Sequence, residues 1–436
     1  MAKGKLAASE VETGTPEMTT AQGKIADQRK PAVRVQARVL AAALKDVAAV
    51  VEARDAIPIL SHVLFEALAN DSGGGIVLTA SDLDIWAVRE LDSSDRDGPG
   101  SQDWLASVRP FALALPAKAL LALVGEFDPE AMVTLTAPDG EERRATVSAG
   151  RSRFRLNVLP ADDFPLPPQI ERGAGFDLPC SQLADAFAAV EHAISSEETR
   201  LYLNGIYLHP EGLDLRMAAT DGHRLARLTL DAPDAGASFP AVIVGSRTVA
   251  LLDKLCASAL KAAGEGAPPS VSIEANASGG LIRWCLPAGD GGSIEVIAKT
   301  IDGSFPDYER LVPADPPLRA LVNRAELAGA VKRVAVLVNR KTRAVSACFT
   351  PDLLTLTVTT PELGEAREEL PCSYDGPEVT LGLNSKYWRE ALLALASDEI
   401  ALGFSADPQG PVLLRGIGTA QEESDRIVQV LMPMRL

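Results

Sequence analysis

A helical pattern recurs three times along the chain, and this repeat restricts the fold more than any other feature. The copies are "LAAALKDVAAV" from Leu40, "LADAFAAVEHAI" from Leu183 and "LAGAVKRVAVLV" from Leu327, starting 143 and 144 residues apart. Each sets apolar side chains at i, i+4 and i+7: Leu40, Leu44 and Val47; Leu183, Phe187 and Val190; Leu327, Val331 and Val334. A second helical pattern follows in every copy. It opens with "LPAK" at Leu115, "VGSR" at Val244 and "LNSK" at Leu383, each followed by a leucine-rich run. A chain of 436 residues exceeds one compact core, so three similar domains are expected.

Between the helices lie segments of period-two character: 76–88, 213–230 and 353–360. Each copy closes on another such run, from Phe154, Ile294 and Ile427. The unit therefore reads as helix, strands, helix, strands, an α+β domain whose helices cover one face of an antiparallel sheet. Proline-rich stretches at 165–175 and 312–319 mark the joins, giving domains at 33–172, 173–315 and 316–436. Residues 1–32 are polar and patternless and read as a disordered N-terminal extension.

The net charge is −17, which repels nucleic acid from the chain as a whole but leaves room for a local basic face. Every second helix carries a base in its first turn: Lys118, Arg247 and Lys386. That end of a helix disfavours cations, so three copies point to a use beyond helix stability. The five cysteines are odd in number, widely spaced and without a C-x-x-C, which suits a reducing cytoplasm rather than a disulfide framework or a zinc site. No run reaches the roughly 18 apolar residues of a membrane span.

The stretch "ATDGHRLA" (219–226) holds one of only four histidines. Asp221-Gly222 signals a two-residue hairpin turn, pairing Met217 with Ala226, Leu215 with Leu228 and Leu213 with Leu230 on one apolar face. An enzyme using His223 and Asp221 is the competing reading. His62, His192 and His209 have no ligand-like spacing to it, no nucleophile–base–orienter set can be assembled, and no phosphate-binding loop is present. Neither a catalytic residue, a metal site nor a cofactor is expected.

The strings "RSRFRLNVLPADDFP" (151–165), "LYLNGIYL" (201–208), "ATDGHRLA", "DGSFPDYERLVP" (302–313) and the terminal "MPMRL" resemble, in order, the hallmark strings of the bacterial DNA sliding clamp family, the beta subunit of DNA polymerase III. The resemblance spans roughly residues 33–436. It implies three similar DNA-clamp domains per chain and a head-to-tail homodimeric ring. The helices would line a hole around duplex DNA, and catalytic activity would be absent. The duplex would be held without sequence preference, through phosphates. DNA polymerases, a clamp loader and repair proteins would dock by short peptides.

By the same resemblance the DNA-facing bases are Arg54, Lys118, Arg247, Lys332 and Lys386, and the dimer contact lies near Leu123, Phe164, Val336 and Leu337. The implied peptide pocket sits between the second and third domains. Its wall draws on Tyr202 and Leu203, on the turn residues Thr220, Gly222, His223, Arg224 and Leu225, and on Pro306, Arg310 and Leu311. Asn384 and Tyr387 join from the last helix, and Val430, Leu431, Met432, Pro433, Met434 and Arg435 from the tail. Two departures stand out. The N-terminal extension lies outside the family pattern, and the loop 195–200 carries two acids, Glu197 and Glu198, beside the expected DNA face. They leave a specialised paralogue, serving repair or antibiotic resistance, as the alternative.

Overall fold

The computed structural model describes residues 30–51, 57–69, 74–92, 105–140, 142–171, 173–212, 214–230, 238–264, 266–289, 292–418 and 423–436. The first third runs β1 (Ala32–Gln36), α1 (Ala37–Ala48), β2 (His62–Leu68), β3 (Gly75–Ser81), β4 (Ile85–Asp92), β5 (Leu105–Val108), β6 (Phe111–Pro116), α2 (Ala117–Gly125), β7 (Met132–Thr136), β8 (Arg144–Ala149) and β9 (Ser152–Asn157). The second runs β10 (Ala174–Pro179), α3 (Cys180–Val190), β11 (Gly205–Glu211), β12 (Asp214–Thr220), β13 (Arg224–Leu230), β14 (Val242–Gly245), α4 (Ser246–Ala263), β15 (Ser270–Ala275), β16 (Leu281–Pro287) and β17 (Ser293–Lys299). The third runs β18 (Leu318–Asn323), α5 (Arg324–Val334), β19 (Ala344–Thr350), β20 (Leu353–Thr360), β21 (Gly364–Pro371), β22 (Val379–Asn384), α6 (Ser385–Leu393), β23 (Glu399–Phe404), β24 (Val412–Ile417) and β25 (Glu423–Leu431).

The α+β reading holds, with one addition. A strand leads each third, ahead of the helix. Apart from β5, every third is then strand–helix–three strands, twice over, so the threefold repeat is itself doubled. The first strand also shortens the expected extension. Pro31 O accepts from Ala137 N at 2.9 Å and Ala32 O from Arg109 N at 2.8 Å, so the last residues assigned to the extension belong to the sheet. Residues 1–29 lie outside the described residues.

The helices pair within each third, α1 with α2, α3 with α4 and α5 with α6, and pack on the sheets through their aliphatic stripes. Leu40, Leu44 and Val47 are fully buried, as are Leu183, Val190, Leu327 and Val331. Among the described residues all ladders are antiparallel, and two of the four sheets cross the joins between thirds. One has the order β10-β15-β16-β17-β4-β3-β2-β6 and the other β14-β11-β12-β13-β25-β24-β23-β18. At the first seam β4 pairs with β17, Ile85 opposite Ala298 and Trp86 opposite Ile297. At the second β13 pairs with β25, Arg224 opposite Leu431 and Leu225 opposite Val430. The segment 305–312 then straps the far face of the second seam. Phe305 stacks on Tyr207 at 4.8 Å, and Tyr308 lies among Ala218, Leu225, Val428 and Val430.

The hairpin at 214–230 corrects the expected register by two residues. Thr220 pairs with Leu225, Met217 with Leu228 and Leu215 with Leu230. Asp221 causes the shift. Its Oδ1 accepts from His223 N at 2.9 Å and Arg224 N at 3.0 Å, which widens the loop to four residues. Gly222 takes φ +87°, the left-handed region glycine adopts without strain. A two-residue slip preserves which side chains share a face, so the apolar face survives the correction. Asp221→Ala removes both acceptor bonds and a carboxylate partner of Arg224. It should cost about 1–3 kcal/mol in chemical denaturation, while Asp221→Asn, which keeps an acceptor for the turn, should cost less.

Candidate functional site

The second seam brings together residues that are far apart in sequence. Arg224, at the start of β13, is only 6% exposed, and two carboxylates hold it. Its Nε lies 3.1 Å from Asp221 Oδ2, its NH1 donates to Glu390 Oε2 on α6, and its guanidinium lies over the Tyr387 ring at 4.2 Å from the centroid. A buried cation of this kind is tolerated only because it is paired and stacked. Beside it His192, just past α3, shares a hydrogen bond at 3.1 Å with Gln429 of β25, whose Nε2 donates to Ala189 O at 2.9 Å. His192 is thus close to the turn in space, which its sequence spacing did not show.

The tail leaves β25 along the same turn. Met432 N donates to His223 O at 2.9 Å and Met434 N to Gly382 O at 2.8 Å. A β-carbon at Gly382 would meet Met434 O at 2.3 Å, so this approach needs glycine. The tail is anchored at backbone level, yet Met432 is 40% and Leu436 68% exposed. Leu201 at 59% and Leu311 at 49% present further apolar surface.

The structure divides the expected pocket residues. Gly222, His223, Met432, Arg435, Arg310 and Leu311 are exposed, and Tyr202, Pro306, Tyr387, Pro433 and Met434 are partly so. Leu203, Leu225, Val430 and Leu431 are at most 3% exposed and build the floor or the core behind it, so they offer no direct surface. Thr220 is buried with its hydroxyl bonded to Arg224 O at 2.7 Å, which makes it part of the turn. Asn384 caps α6, its Oδ1 accepting from Lys386 N at 3.0 Å and Tyr387 N at 3.3 Å. Sequence reasoning missed Glu390, His192 and Gln429. Glu390 follows Lys386 by one helical turn, which was the one available signal.

For the competing catalytic reading, Asp221 is already engaged by two amides and Arg224. Among the described residues no three side chains of metal-ligating type come together.

The solvent faces of the six helices reverse the sign of the whole chain. Exposed bases are Arg38 and Lys45 on α1, Lys118 on α2, Arg247, Lys254 and Lys261 on α4, Lys332 and Arg333 on α5, and Lys386 and Arg389 on α6. The exposed acids on these helices are Asp185, Asp253 and Glu326. Arg38, Lys45, Lys254, Lys261, Arg333 and Arg389 are exposed helix bases beyond those expected, and Arg54 lies outside the described residues. Arg247 has a second engagement, its NH2 lying 2.8 Å from the buried Asp82 Oδ2 across the first seam. Of the expected contact residues, Val336 is 74% exposed and Leu337 and Leu123 are partly so. Phe164 is 4% exposed, packed with Leu64 and Ala114 in its own third, and presents no ring to a partner.

Burial, reinforced by the Arg224 charge, lowers the His192 pKa from 6.5 to about 4. The folded state therefore holds this imidazole neutral, whereas the unfolded chain protonates near pH 6.5. The resulting stability is complete above pH 6.5 and is lost as pH falls toward 4, an effect on the order of 3 kcal/mol. His192→Gln should flatten the pH dependence of the thermal midpoint in that window; an unchanged slope contradicts the assignment.

Comparison with known proteins matches the three thirds to three family models: DNA polymerase III beta subunit N-terminal domain at 32–168, central domain at 177–266 and C-terminal domain at 309–435. The beta sliding clamp of Caulobacter vibrioides is 34% identical over 406 residues, covering 92% of this chain and 99% of the relative. That of Escherichia coli is 30% identical over 398 residues, covering 90% and 96%. Among solved structures, the DnaN sliding clamp of Bartonella birtlesii bound to griselimycin superposes with a TM-score of 0.80 at 31% identity, over 94% of this chain and 100% of that one. The Caulobacter crescentus clamp gives 0.80 at 32% identity, over 93% and 100%.

Proposed function

The chain belongs to the DNA polymerase III beta-subunit family of sliding clamps, and from that premise we propose how this processivity factor closes, holds DNA and recruits partners. It is a DNA polymerase processivity clamp. The family is non-catalytic, and this chain is inferred to act by topology alone, with no cofactor and no reaction. Its relatives are named beta sliding clamps over nearly their whole length, which does not favour a specialised paralogue. No described helix is long and apolar enough to cross a membrane, and the cytoplasm is the proposed location.

The observation that carries the assembly is the repeated seam. The last strand of each third's first half-unit pairs with the last strand of the next third, β4 with β17 and β13 with β25. The homologous strands β21 and β9 are left as edges of their sheets. Joining β21 of one protomer to β9 of another repeats the seam between molecules, and two such joins close a ring of six domains. The edges are complementary in charge. The β9 edge carries Arg153 and Arg155, and β21 carries Glu365, Glu368 and Glu369 against a single Arg367. Val336 extends this contact beside β21. We expect Arg153→Glu/Arg155→Glu to yield monomer by light scattering at micromolar concentration and 0.1 M salt. A dimer that persists would mean that the ring closes elsewhere.

The basic helix faces support an inner surface that contacts phosphates without reading bases. Partner proteins (polymerases, loader and repair factors) are proposed to dock short peptides at the second seam, over the exposed tail, turn and Leu201–Leu311 surface. Because Arg247 also neutralises Asp82, reversing it would expose a structural carboxylate. A cleaner variant is Lys118→Glu/Lys254→Glu/Lys386→Glu. It should remain dimeric yet lose retention on a nicked circular duplex, and wild type should slide off once the circle is cut. Retention on linear DNA, or an unaffected triple variant, would contradict the tethering geometry.

A further inference from the structure

The two seams inside the chain share their strand register and most of their turn hydrogen bonds. In the turn of the first seam, Leu83 N donates to Ser81 Oγ at 2.9 Å, and Asp84 N and Ile85 N to Asp82 Oδ1 at 2.9 and 2.6 Å. The second repeats this, with Gly222 N on Thr220 Oγ1 at 3.1 Å and His223 N and Arg224 N on Asp221 Oδ1. The residue at the apex is left-handed in both, Leu83 at φ +74° and Gly222 at +87°. The strands that follow also match. Lys299 N donates to Asp84 O at 2.8 Å and Ile301 N to Ile243 O at 2.9 Å, as Met432 N does to His223 O and Met434 N to Gly382 O. Lys299-Thr300-Ile301 therefore occupies at the first seam the place of Met432-Pro433-Met434 at the second.

The side chains do not match. Trp86 stands where the second seam has Leu225, each paired across its hairpin with the residue before the turn. The indole is 6% exposed, and its Nε1 donates to Pro165 O at 3.0 Å. Lys299 lies over the ring at 5.8 Å from the centroid, with its Nζ 3.2 Å from Asp84 Oδ1. The counterpart of Lys299 is Met432, an uncharged side chain left 40% exposed. The counterpart of Asp84 is His223; both are exposed, and they differ in charge and shape.

We propose that Trp86, pinned by Pro165 and covered by the Lys299–Asp84 pair, fills the first-seam counterpart of the peptide site, so that each protomer takes one peptide and not two. Trp86 is then the residue that determines how many docking sites the ring offers. A tryptophan buries far more surface than a leucine and gains by hydrogen-bonding its N–H, so at this position it occupies volume that the leucine of the second seam does not. The solvent-exposed Lys299–Asp84 pair places charge above the ring, where the second seam presents Met432 and His223. The inference rests on the reading of the second seam as the peptide site, and its test separates the two.

The test is calorimetric titration of the full-length protein with a hexapeptide carrying one glutamine and two leucines. Wild type should bind one peptide per protomer, and Trp86→Leu/Lys299→Met should bind two. Adding Arg224→Ala/Met432→Ala to that variant should remove one of the two. A wild type that binds none overturns the reading of the second seam. A folded double variant that still binds one overturns the role of Trp86. Should the variant fail to fold, a photo-crosslinking form of the same peptide decides on wild type. Attachment should map to 430–434 and spare 83–86 and 299–301. Comparable labelling of both seams would show that the first is open and the proposal wrong.

Discussion

Pairing of sheet edges across the joins between thirds is the constraint on which the molecule depends. An unpaired strand edge leaves backbone donors and acceptors exposed and invites association. Here β4 and β13 find their partners in the last strands of the following thirds, 205 residues away at both Arg89–Ile294 and Leu225–Val430. Arg89 shows how firmly the first seam is tied. It is fully buried, 3.6 Å from Asp46, and donates to the main chains of Glu90 and Ser293 at 2.7 and 2.9 Å. One continuous core accordingly runs from Val33 to Ala298 beneath it. The same pairing, obeyed twice within the chain, is the one proposed between protomers at the edges β9 and β21.

Much of this was legible in the sequence, and the limits have physical reasons. The helices showed themselves because 3.6-residue periodicity is a local property, and Lys118, Arg247 and Lys386 fell at the second position of α2, α4 and α6. The leading strands β1, β10 and β18 did not, because five or six residues carry too little pattern. The hairpin faces were correct and the register was not, since two amide bonds to Asp221 outrank the Asp-Gly turn preference. Seams join strands that no local signal connects, so Glu390, His192 and Gln429 stayed hidden beside Arg224. Family resemblance gave positions without burial, which is why Phe164, Leu203 and Asn384 proved to be core or cap.

Charge placement follows from the same division of surfaces. A base in the first turn of a helix is disfavoured by roughly 0.3–1 kcal/mol, and three helices accept it. Asn384 offsets part of that at α6 by satisfying two amides, leaving Lys386 free to face outward. Net acidity elsewhere raises the cost of stray contact with nucleic acid, so duplex is favoured only where the helix faces are. Arg247 shows the two demands meeting in one side chain. It is exposed enough to face an anion and close enough to Asp82 to brace the first seam.

The two turns show how one backbone can serve opposite ends. Identical acceptor bonds from Asp82 and Asp221 fix the loop, so side chains on either copy can diverge without loss of the fold. At the second seam the apex is glycine, and the space above it stays clear except for Arg200, whose guanidinium would lie 3.4 Å from an added β-carbon. At the first the apex is Leu83, held in a conformation that costs a non-glycine residue about 1–2 kcal/mol. The leucine side chain is itself 36% exposed, so burial at the apex does not recover that strain, and the turn is held by the bonds to Ser81 and Asp82. The same turn thus carries a strained leucine in one copy and an unstrained glycine in the other, because bonds to its aspartate rather than the apex side chain hold it.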